Sequence, residues 1–157
     1  MAKKKVLITG VSGLVGTVLA ASLKEIYEVS GVDLNESSEV PTTKADCTNL
    51  KDILPAFSGI DTVIDLASNP SQFSEWNVIH GVNLRCTSNA LEAAKTCGVQ
   101  RVIFASSNHA TGMYETDTPY TKIVKGEYAG IDSDSIPLVT TAMPVRPDGP
   151  YGIAKAF

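Results

Sequence analysis

A tyrosine and a lysine stand four residues apart in the segment Tyr151-Gly152-Ile153-Ala154-Lys155. On a helix, this spacing places both side chains on one face. A phenol is a weak base at neutral pH because its pKa is about 10, and a neighbouring ammonium favours the phenolate. The pair is therefore suited to taking a proton from a substrate hydroxyl, although the same spacing also fits an ordinary helix pair.

A pair of serines gives the tyrosine and lysine a chemical context. Ser106 and Ser107 stand at the end of an apolar run from Val102 that is typical of a buried strand. Open α/β folds bind their ligands beyond the carboxyl ends of their strands. We therefore expect Ser107 to hold the reacting hydroxyl or carbonyl, with Tyr151 and Lys155 completing the catalytic set.

A glycine-rich turn lies between a predicted strand, Lys5 to Thr9, and a predicted helix, Leu14 to Ile26. Its first glycine permits the tight turn, its second lets backbone N–H groups approach a phosphate, and its third lets the helix pack on the strand. This pattern predicts a dinucleotide site with the pyrophosphate at the helix N-terminus. The cofactor contacts expected from the turn are Gly10, Ser12, Gly13, Leu14, Val15 and Gly16.

An acidic residue indicates which dinucleotide binds. Asp33 ends the second predicted strand, Tyr27 to Asp33, 17 residues after Gly16. A carboxylate there accepts hydrogen bonds from the adenosine ribose hydroxyls and repels a 2′-phosphate, so NAD is favoured over NADP. NAD would take the hydride while Tyr151 takes the proton. The plainer alternative is that Asp33 caps a loop.

Strands and helices alternate along the chain. Apolar runs at Val63 to Ala67 and Val102 to Ser106 bring the predicted buried strands to four. A short helix near Leu50 to Phe57 and a long one from about Glu75 to Cys97 lie between them. The predicted fold class is α/β, a Rossmann-type doubly wound parallel sheet. The residues expected on the core faces of the first and the long helix are Leu14, Val15, Val18, Leu19, Leu23, Val78, Ile79, Val82, Leu91 and Ala94.

The length of the chain predicts one domain over 1–157. Its segment 114–150 contains five prolines and is expected to be a long loop or lid. A doubly wound dinucleotide fold needs about six strands, so the four found here indicate a domain that is incomplete and lacks a C-terminal substrate region. The fourth strand would then be an exposed apolar edge, which predicts a homodimer through this edge or a poorly stable chain.

Together these motifs resemble the extended short-chain dehydrogenase/reductase superfamily, in its NAD-dependent epimerase/dehydratase group. The resemblance rests on TGxxGxxG from Thr9 to Gly16, Asp33, Asp46-Cys47, Asn83, the paired serines after the fourth strand and YxxxK. It implies that Ser107 and Tyr151 act on the substrate, while Lys155 binds the nicotinamide ribose and tunes Tyr151.

The same resemblance assigns further cofactor contacts. Asp46 and Cys47 would flank the adenine, and Leu66 and Ala67 would lie alongside the cofactor. Asn83 would be the structural or proton-relay asparagine that the superfamily keeps in its long helix, although a helix asparagine is also commonly an ordinary polar contact.

The segment around and after the serines indicates which reaction the protein catalyses. The uronate dehydrogenase branch is resembled, more than the sugar-nucleotide epimerases, by Ser106-Ser107-Asn108-His109, Gly112-Met113-Tyr114 and the later run from Arg146 to Gly152. This implies that Asn108 and His109 donate hydrogen bonds to the oxygens of a sugar acid, which is oxidised at C1 to a lactone. The alternative for His109 is a cap at the end of the fourth strand.

Other substrates and activities stay open. The 44 residues from Ser107 to Tyr151 exceed the interval usual in the uronate dehydrogenase branch. Archaeal NAD-dependent sugar-phosphate dehydrogenases also resemble the pattern, and Lys122, Lys125 or Arg146 would then meet a phosphate. A nucleotide-sugar 4-epimerase or dehydratase and an inactive NAD-binding fragment are the remaining alternatives.

Charge and composition argue against several classes of partner. With 43% apolar residues and a net charge of −4, the chain offers no basic field for nucleic acid or an anionic membrane. No segment resembles a signal peptide or a membrane span, so we expect a cytoplasmic location and a small-molecule sugar as substrate. The three cysteines form no CxxC pair, which predicts reduced thiols and no metal site.

Overall fold

The computed structural model describes residues 2–157, which form two compact units. The N-terminal unit comprises the residues up to Pro70 together with Asn77–Ala105. The C-terminal unit comprises Ser71–Trp76 and Ser106–Phe157.

A parallel sheet of five strands forms the centre of the N-terminal unit. The strands are β1 (Lys5–Thr9), β2 (Glu28–Asp33), β3 (Thr42–Lys44), β4 (Thr62–Asp65) and β5 (Arg101–Phe104). Their order in the sheet is β3-β2-β1-β4-β5. The chain therefore extends the sheet to one side of β1 and then returns to extend it on the other side, which is the doubly wound arrangement. The predicted Rossmann class is confirmed.

The predicted number of strands was wrong by one, because β3 carries no apolar run. It has three residues, Thr42, Thr43 and Lys44, and the last two are exposed. It pairs with β2 from Gly31 to Asp33. A short edge strand with polar side chains gives no periodic apolar signal.

The helices of this unit lie close to their predicted places, but they are shorter. The first ends three residues earlier than predicted, and the predicted long helix is interrupted by a π-helical segment. The elements are α1 (Leu14–Leu23), α2 (Leu50–Ile53) with a 3₁₀ turn at Leu54–Phe57, α3 (Trp76–Ile79), the π-helical segment His80–Leu84, and α4 (Arg85–Thr96).

The apolar faces predicted for the helices were partly wrong. Helix α1 buries Gly16 and Ala20 and leaves Leu14, Val15 and Val18 exposed. The long helical segment likewise leaves Val78 and Leu91 exposed and packs mainly through small residues. Small residues let a helix approach the sheet closely, so the longest apolar side chains are not the ones that mark the inner face. The residues buried along α3, the π-helical segment and α4 are Ile79, Asn83, Cys86, Ala90, Ala93 and Ala94.

The core of the N-terminal unit consists of two clusters, to which β1 contributes alternating residues. Leu7 packs in the cluster that contains Phe57, whereas Val6 and Ile8 pack in the cluster that contains Ala20. Successive side chains of a strand point to opposite faces, so one strand supplies both clusters.

A buried hydroxyl joins β1 to β4. The Thr9 Oγ1 donates a hydrogen bond to the Asp65 Oδ1 at 2.6 Å, and both residues are at most 2% exposed. The same oxygen accepts hydrogen bonds from the backbone amides of Leu66 at 3.1 Å and Ala67 at 3.2 Å. Thr9 thereby fixes the chain that leaves β4 against the end of β1.

The C-terminal unit consists of short helical pieces. The segment 114–150, expected to be a long loop or lid, contains short helices rather than one continuous coil. No helix in residues 2–157 combines the length and the apolar character needed to span a bilayer. The elements of this unit are 3₁₀ turns at Asn108–Ala110, Gly112–Thr116 and Ser133–Ser135, together with α5 (Tyr120–Val124) and α6 (Pro150–Ala156).

Replacing the buried hydroxyl tests its contribution to stability. We expect Thr9→Val to lower the free energy of unfolding by about 1–3 kcal/mol, because Asp65 loses a donor and the Ala67 amide loses an acceptor. The Leu66 amide keeps its second acceptor, the Thr9 carbonyl. Thr9→Ser keeps the hydroxyl and should lose much less. Urea denaturation followed by circular dichroism measures both changes. Equal stability of the Val and Ser variants would contradict this role of the hydroxyl.

Candidate functional site

The glycine turn connects β1 to α1 with its backbone packed against neighbouring strands. Gly10 has a φ of +70°, and its N–H donates to the Val32 carbonyl at 2.8 Å. A Cβ built on Gly10 would lie 2.9 Å from the backbone nitrogen of Ala67. Both the conformation and the space require glycine at this position.

The third glycine of the turn allows α1 to start close to β1. A Cβ on Gly16 would lie only 2.3 Å from the Gly10 carbonyl oxygen. Helix α1 begins after Gly13, which offers no side-chain cap for the first N–H groups. Uncapped N–H groups at the start of a helix are ready donors for an anion such as a phosphate.

Asp33 lies at the end of β2 and contacts the glycine turn. Its Oδ2 accepts a hydrogen bond from the Ser12 amide at 3.0 Å, and its Oδ1 accepts one from the Asn35 amide at 3.1 Å. The second contact is the loop cap considered as the plainer alternative. Each carboxylate oxygen can accept a further hydrogen bond, so capping does not prevent contact with a ribose.

Asp46 and Cys47 follow β3 and have different surroundings. Asp46 is exposed, and its Oδ1 accepts from the Thr48 amide at 2.8 Å. Cys47 is buried in the core, where the neighbouring Cys86 thiol and burial raise the pKa of the Cys47 thiol. The Cys47 side chain is therefore a neutral part of the core, and the polar group directed outward at this point is Asp46.

Leu66 and Ala67 lie beside Gly10 of the glycine turn, and Asn83 contacts the loop that follows them. The Leu66 and Ala67 amides are held by Thr9. The Asn83 side chain is buried and makes two hydrogen bonds with the backbone of Asn69, accepting from its N–H at 2.8 Å and donating to its carbonyl at 3.0 Å. Asn83 therefore fastens the loop after β4 to the π-helical segment.

The C-terminal unit contains the tyrosine and lysine on α6, with Pro150 at the start of the helix. The Lys155 Nζ lies 5.8 Å from the centroid of the Tyr151 ring. Lys155 is 6% exposed, whereas Tyr151 is partly exposed. The two side chains are therefore neighbours, as their spacing of four residues on a helix predicts.

The residues after β5 form a tight turn in the same unit. The Ser106 Oγ donates to the Lys155 carbonyl at 2.7 Å, which attaches the turn to α6. The Ser107 Oγ accepts from the His109 amide at 3.2 Å and donates to the Asn108 Oδ1 at 3.2 Å. The His109 ring meets the Tyr151 ring edge-on, with the centroids 5.8 Å apart. The structure therefore brings Ser107, Asn108, His109, Tyr151 and Lys155 into one unit.

One basic residue proposed for a phosphate has another partner. The Arg146 guanidinium binds both carboxylate oxygens of Asp117 and lies 4.5 Å from the centroid of the Tyr114 ring. The hydrogen bond from Arg146 holds the pKa of the Asp117 carboxyl below its usual range. Arg146 therefore stabilises this segment, and the exposed basic side chains of the segment are Lys122 and Lys125.

The whole pattern matches one family of proteins. The sequence profile of the NAD dependent epimerase/dehydratase family matches residues 6–157. The chain belongs to this family. The resemblance inferred from the motifs is thereby confirmed.

Sugar dehydrogenases are among the members of this family that the chain resembles. L-arabinose 1-dehydrogenase (NAD(P)(+)) of Haloferax volcanii is 30% identical over 156 residues, covering 98% of this chain and 58% of that protein. NAD-dependent glucose-6-phosphate dehydrogenase of the same organism is 32% identical, covering 96% of this chain and 58% of that protein. The crystal structure of uronate dehydrogenase from Agrobacterium tumefaciens has a TM-score of 0.75 and 26% identity, covering 100% of this chain and 53% of that one. The chain thus spans a little over half the length of these family members.

Three residues, Thr9, Asp65 and Asp148, make contacts that the sequence did not predict. Thr9 belongs to the glycine motif, but its role depends on Asp65, which is 56 residues away. Asp148 lies 39 residues from His109, whose ring it contacts. A carboxylate at the end of a strand could have marked Asp65 as a candidate. Asp148 belongs to the run from Arg146 to Gly152, but its partner is set only by the fold.

Proposed function

We propose that the protein oxidises a sugar at C1, with NAD as the acceptor of the hydride. The observation that carries the proposal is the Tyr151 and Lys155 pair, with the ammonium 5.8 Å from the ring centroid, in a member of this family. The similarity to sugar dehydrogenases over nearly the whole chain supports it.

The residues of the N-terminal unit fit NAD. The glycines of the turn lie where the Cβ of any other residue would collide with backbone atoms. The start of α1 offers uncapped N–H groups for the pyrophosphate. Asp33 would bind the ribose hydroxyls, and Asp46, with the backbone of Cys47, would lie beside the adenine. The other residues proposed to contact the cofactor are Ser12, Leu14, Val15, Leu66, Ala67 and Asn83.

The residues of the C-terminal unit would act on the sugar. Tyr151 takes the proton of the C1 hydroxyl, and the Lys155 ammonium stabilises the phenolate that accepts it. Ser107 holds the reacting oxygen, while Asn108 and His109 contact other oxygens of the sugar. NAD, when bound, supplies the carbon that receives the hydride.

A 4-epimerase or dehydratase acting on a nucleotide sugar is the second candidate, because the family includes such enzymes by its description. It differs from a dehydrogenase in returning the hydride to its own intermediate, so it releases no NADH. The homodimer and the cytoplasmic location inferred from the sequence stay predictions.

A substrate panel tests the proposed function. The protein is incubated with NAD and, in separate reactions, with uronic acids, sugar phosphates and UDP-sugars, and the absorbance of NADH is followed. We expect NADH to accumulate with a uronic acid or a sugar phosphate. Conversion of a UDP-sugar without net NADH would instead establish the epimerase or dehydratase.

Removal of the tyrosine hydroxyl tests the proton acceptor. Tyr151→Phe should lower kcat about 10²–10⁴-fold, which is the usual contribution of a general base. Tyr128→Phe is the matched control, because Tyr128 is an exposed tyrosine in the same unit. NADH formation measures both variants. A Tyr151→Phe variant as active as Tyr128→Phe would refute the role of the hydroxyl.

Substitution of the acidic residue after β2 tests the cofactor preference. Asp33→Ser should weaken NAD binding roughly tenfold through the loss of a charge-assisted hydrogen bond, and should strengthen NADP binding because the repulsion of the 2′-phosphate is removed. Calorimetric titration with both dinucleotides gives the ratio of the two Kd values. Glu36→Gln, at an exposed carboxylate three residues away, should leave that ratio unchanged. An unaltered ratio in Asp33→Ser would leave Asp33 as a loop cap only.

A further inference from the structure

The C-terminal unit contains an aspartate in direct contact with the candidate substrate-binding histidine. The Oδ2 of Asp148 lies 2.6 Å from the Nδ1 of His109. The side chains are 31% and 26% exposed, so the contact is shielded from solvent over most of its surface. The motifs of the sequence give Asp148 no role.

Two glycines make room for this carboxylate. A Cβ on Gly112 would lie 2.1 Å from the Asp148 Oδ2, and a Cβ on Gly152 would lie 3.0 Å from its Oδ1. The Cβ on Gly152 would also lie 2.2 Å from the His109 carbonyl oxygen. The carboxylate therefore occupies a fitted space between the two glycines, which distinguishes it from a surface aspartate that meets a histidine by chance.

The backbone holds the aspartate and the histidine in register. The Asp148 amide donates to the His109 carbonyl at 3.3 Å, and the Arg146 amide donates to the Ala110 carbonyl at 3.0 Å. The Met113 amide returns a hydrogen bond to the Arg146 carbonyl at 2.9 Å. Three backbone hydrogen bonds thus join the two segments on which the carboxylate and the imidazole stand.

The contact determines which ring nitrogen carries the proton. A carboxylate only accepts hydrogen bonds, so the Nδ1 of His109 must be the donor. In a neutral imidazole, the other nitrogen is then an acceptor. Among residues 2–157, the ring hydrogen bond of His109 is the one to Asp148, and its Nε2 is therefore available to a ligand.

We propose that Asp148 is a positioning residue that holds His109 as the Nδ1–H tautomer, so that Nε2 accepts a hydrogen bond from a sugar hydroxyl. This inference rests on the proposed function for the identity of the ligand. The sequence predicts that His109 donates a hydrogen bond to a sugar acid. The proposal instead has His109 accept a hydrogen bond from a neutral hydroxyl. The T-shaped contact with Tyr151 holds the same ring from a second direction.

The tautomer can be measured without any substrate. The chain has two histidines, His80 and His109, so ¹⁵N correlation spectra of the imidazoles are simple, and His80→Gln assigns them. We expect the neutral ring of His109 to carry its proton on Nδ1 in the purified protein. Asp148→Asn should give a mixture of tautomers, because a carboxamide can accept from Nδ1 or donate to it. Asp134→Asn, at an exposed aspartate of the same unit, should leave the signals of His109 unchanged.

Kinetics and stability complete the test. Asp148→Asn should raise KM for the sugar roughly tenfold, with the Kd for NAD and the melting temperature close to those of the unsubstituted protein. The proposal is overturned if the neutral His109 ring carries its proton on Nε2, if Asp148→Asn leaves the tautomer unchanged, or if KM does not rise while a sugar is oxidised. The expected tautomers without oxidation of any sugar would preserve the positioning role and refute the proposed function.

Discussion

At the carboxyl ends of β1 and β4, the Thr9 hydroxyl donates to the buried Asp65 carboxylate and accepts from the amides of Leu66 and Ala67. One side chain thereby satisfies three backbone or side-chain groups in a place that water does not reach. The contact fixes the residues that follow β4 beside the start of the glycine turn. Gly10 lies close to Ala67, one of the residues held in this way, and the start of α1 is in turn placed by Gly10 and Gly16.

Much of the N-terminal unit could be predicted because its signals are local. Each signal lies within a short stretch of sequence. The signals are the glycine turn, the apolar run of each of four strands, and the acidic end of β2. The failures have physical causes. The strand β3 lies at an edge and carries polar side chains, and α1 packs on the sheet through Gly16 and Ala20 instead of through Leu14, Val15 and Val18. Close packing of a helix on a sheet favours small residues, whereas a prediction from hydrophobic periodicity depends on large apolar residues.

The C-terminal unit was harder to predict because its contacts join distant parts of the sequence. The YxxxK pair and the serines were recognised by their types and spacing, but Asp148 acquires its role only when folding places it beside His109. Arg146 is the reverse case, a residue that the sequence suggested for a ligand and that the fold pairs with other residues. A basic residue near a candidate sugar site suggests a phosphate ligand, yet Asp117 and the ring of Tyr114 already occupy its guanidinium. The chemistry of a side chain identifies a candidate, and its partners decide whether it is available.

The space around the Asp148 carboxylate also constrains how this part of the protein can evolve. Gly112 lies against the Oδ2 of Asp148, and Gly152 lies against its Oδ1 and the His109 carbonyl oxygen, although 40 residues separate the two glycines along the chain. A larger residue at position 112 requires the aspartate to move or to be shortened, whereas one at position 152 would meet the His109 carbonyl whatever residue stands at position 148. Positions 112 and 148 are therefore sterically coupled. In divergent relatives, their identities should change together, even where the sequence between them varies freely in length and composition.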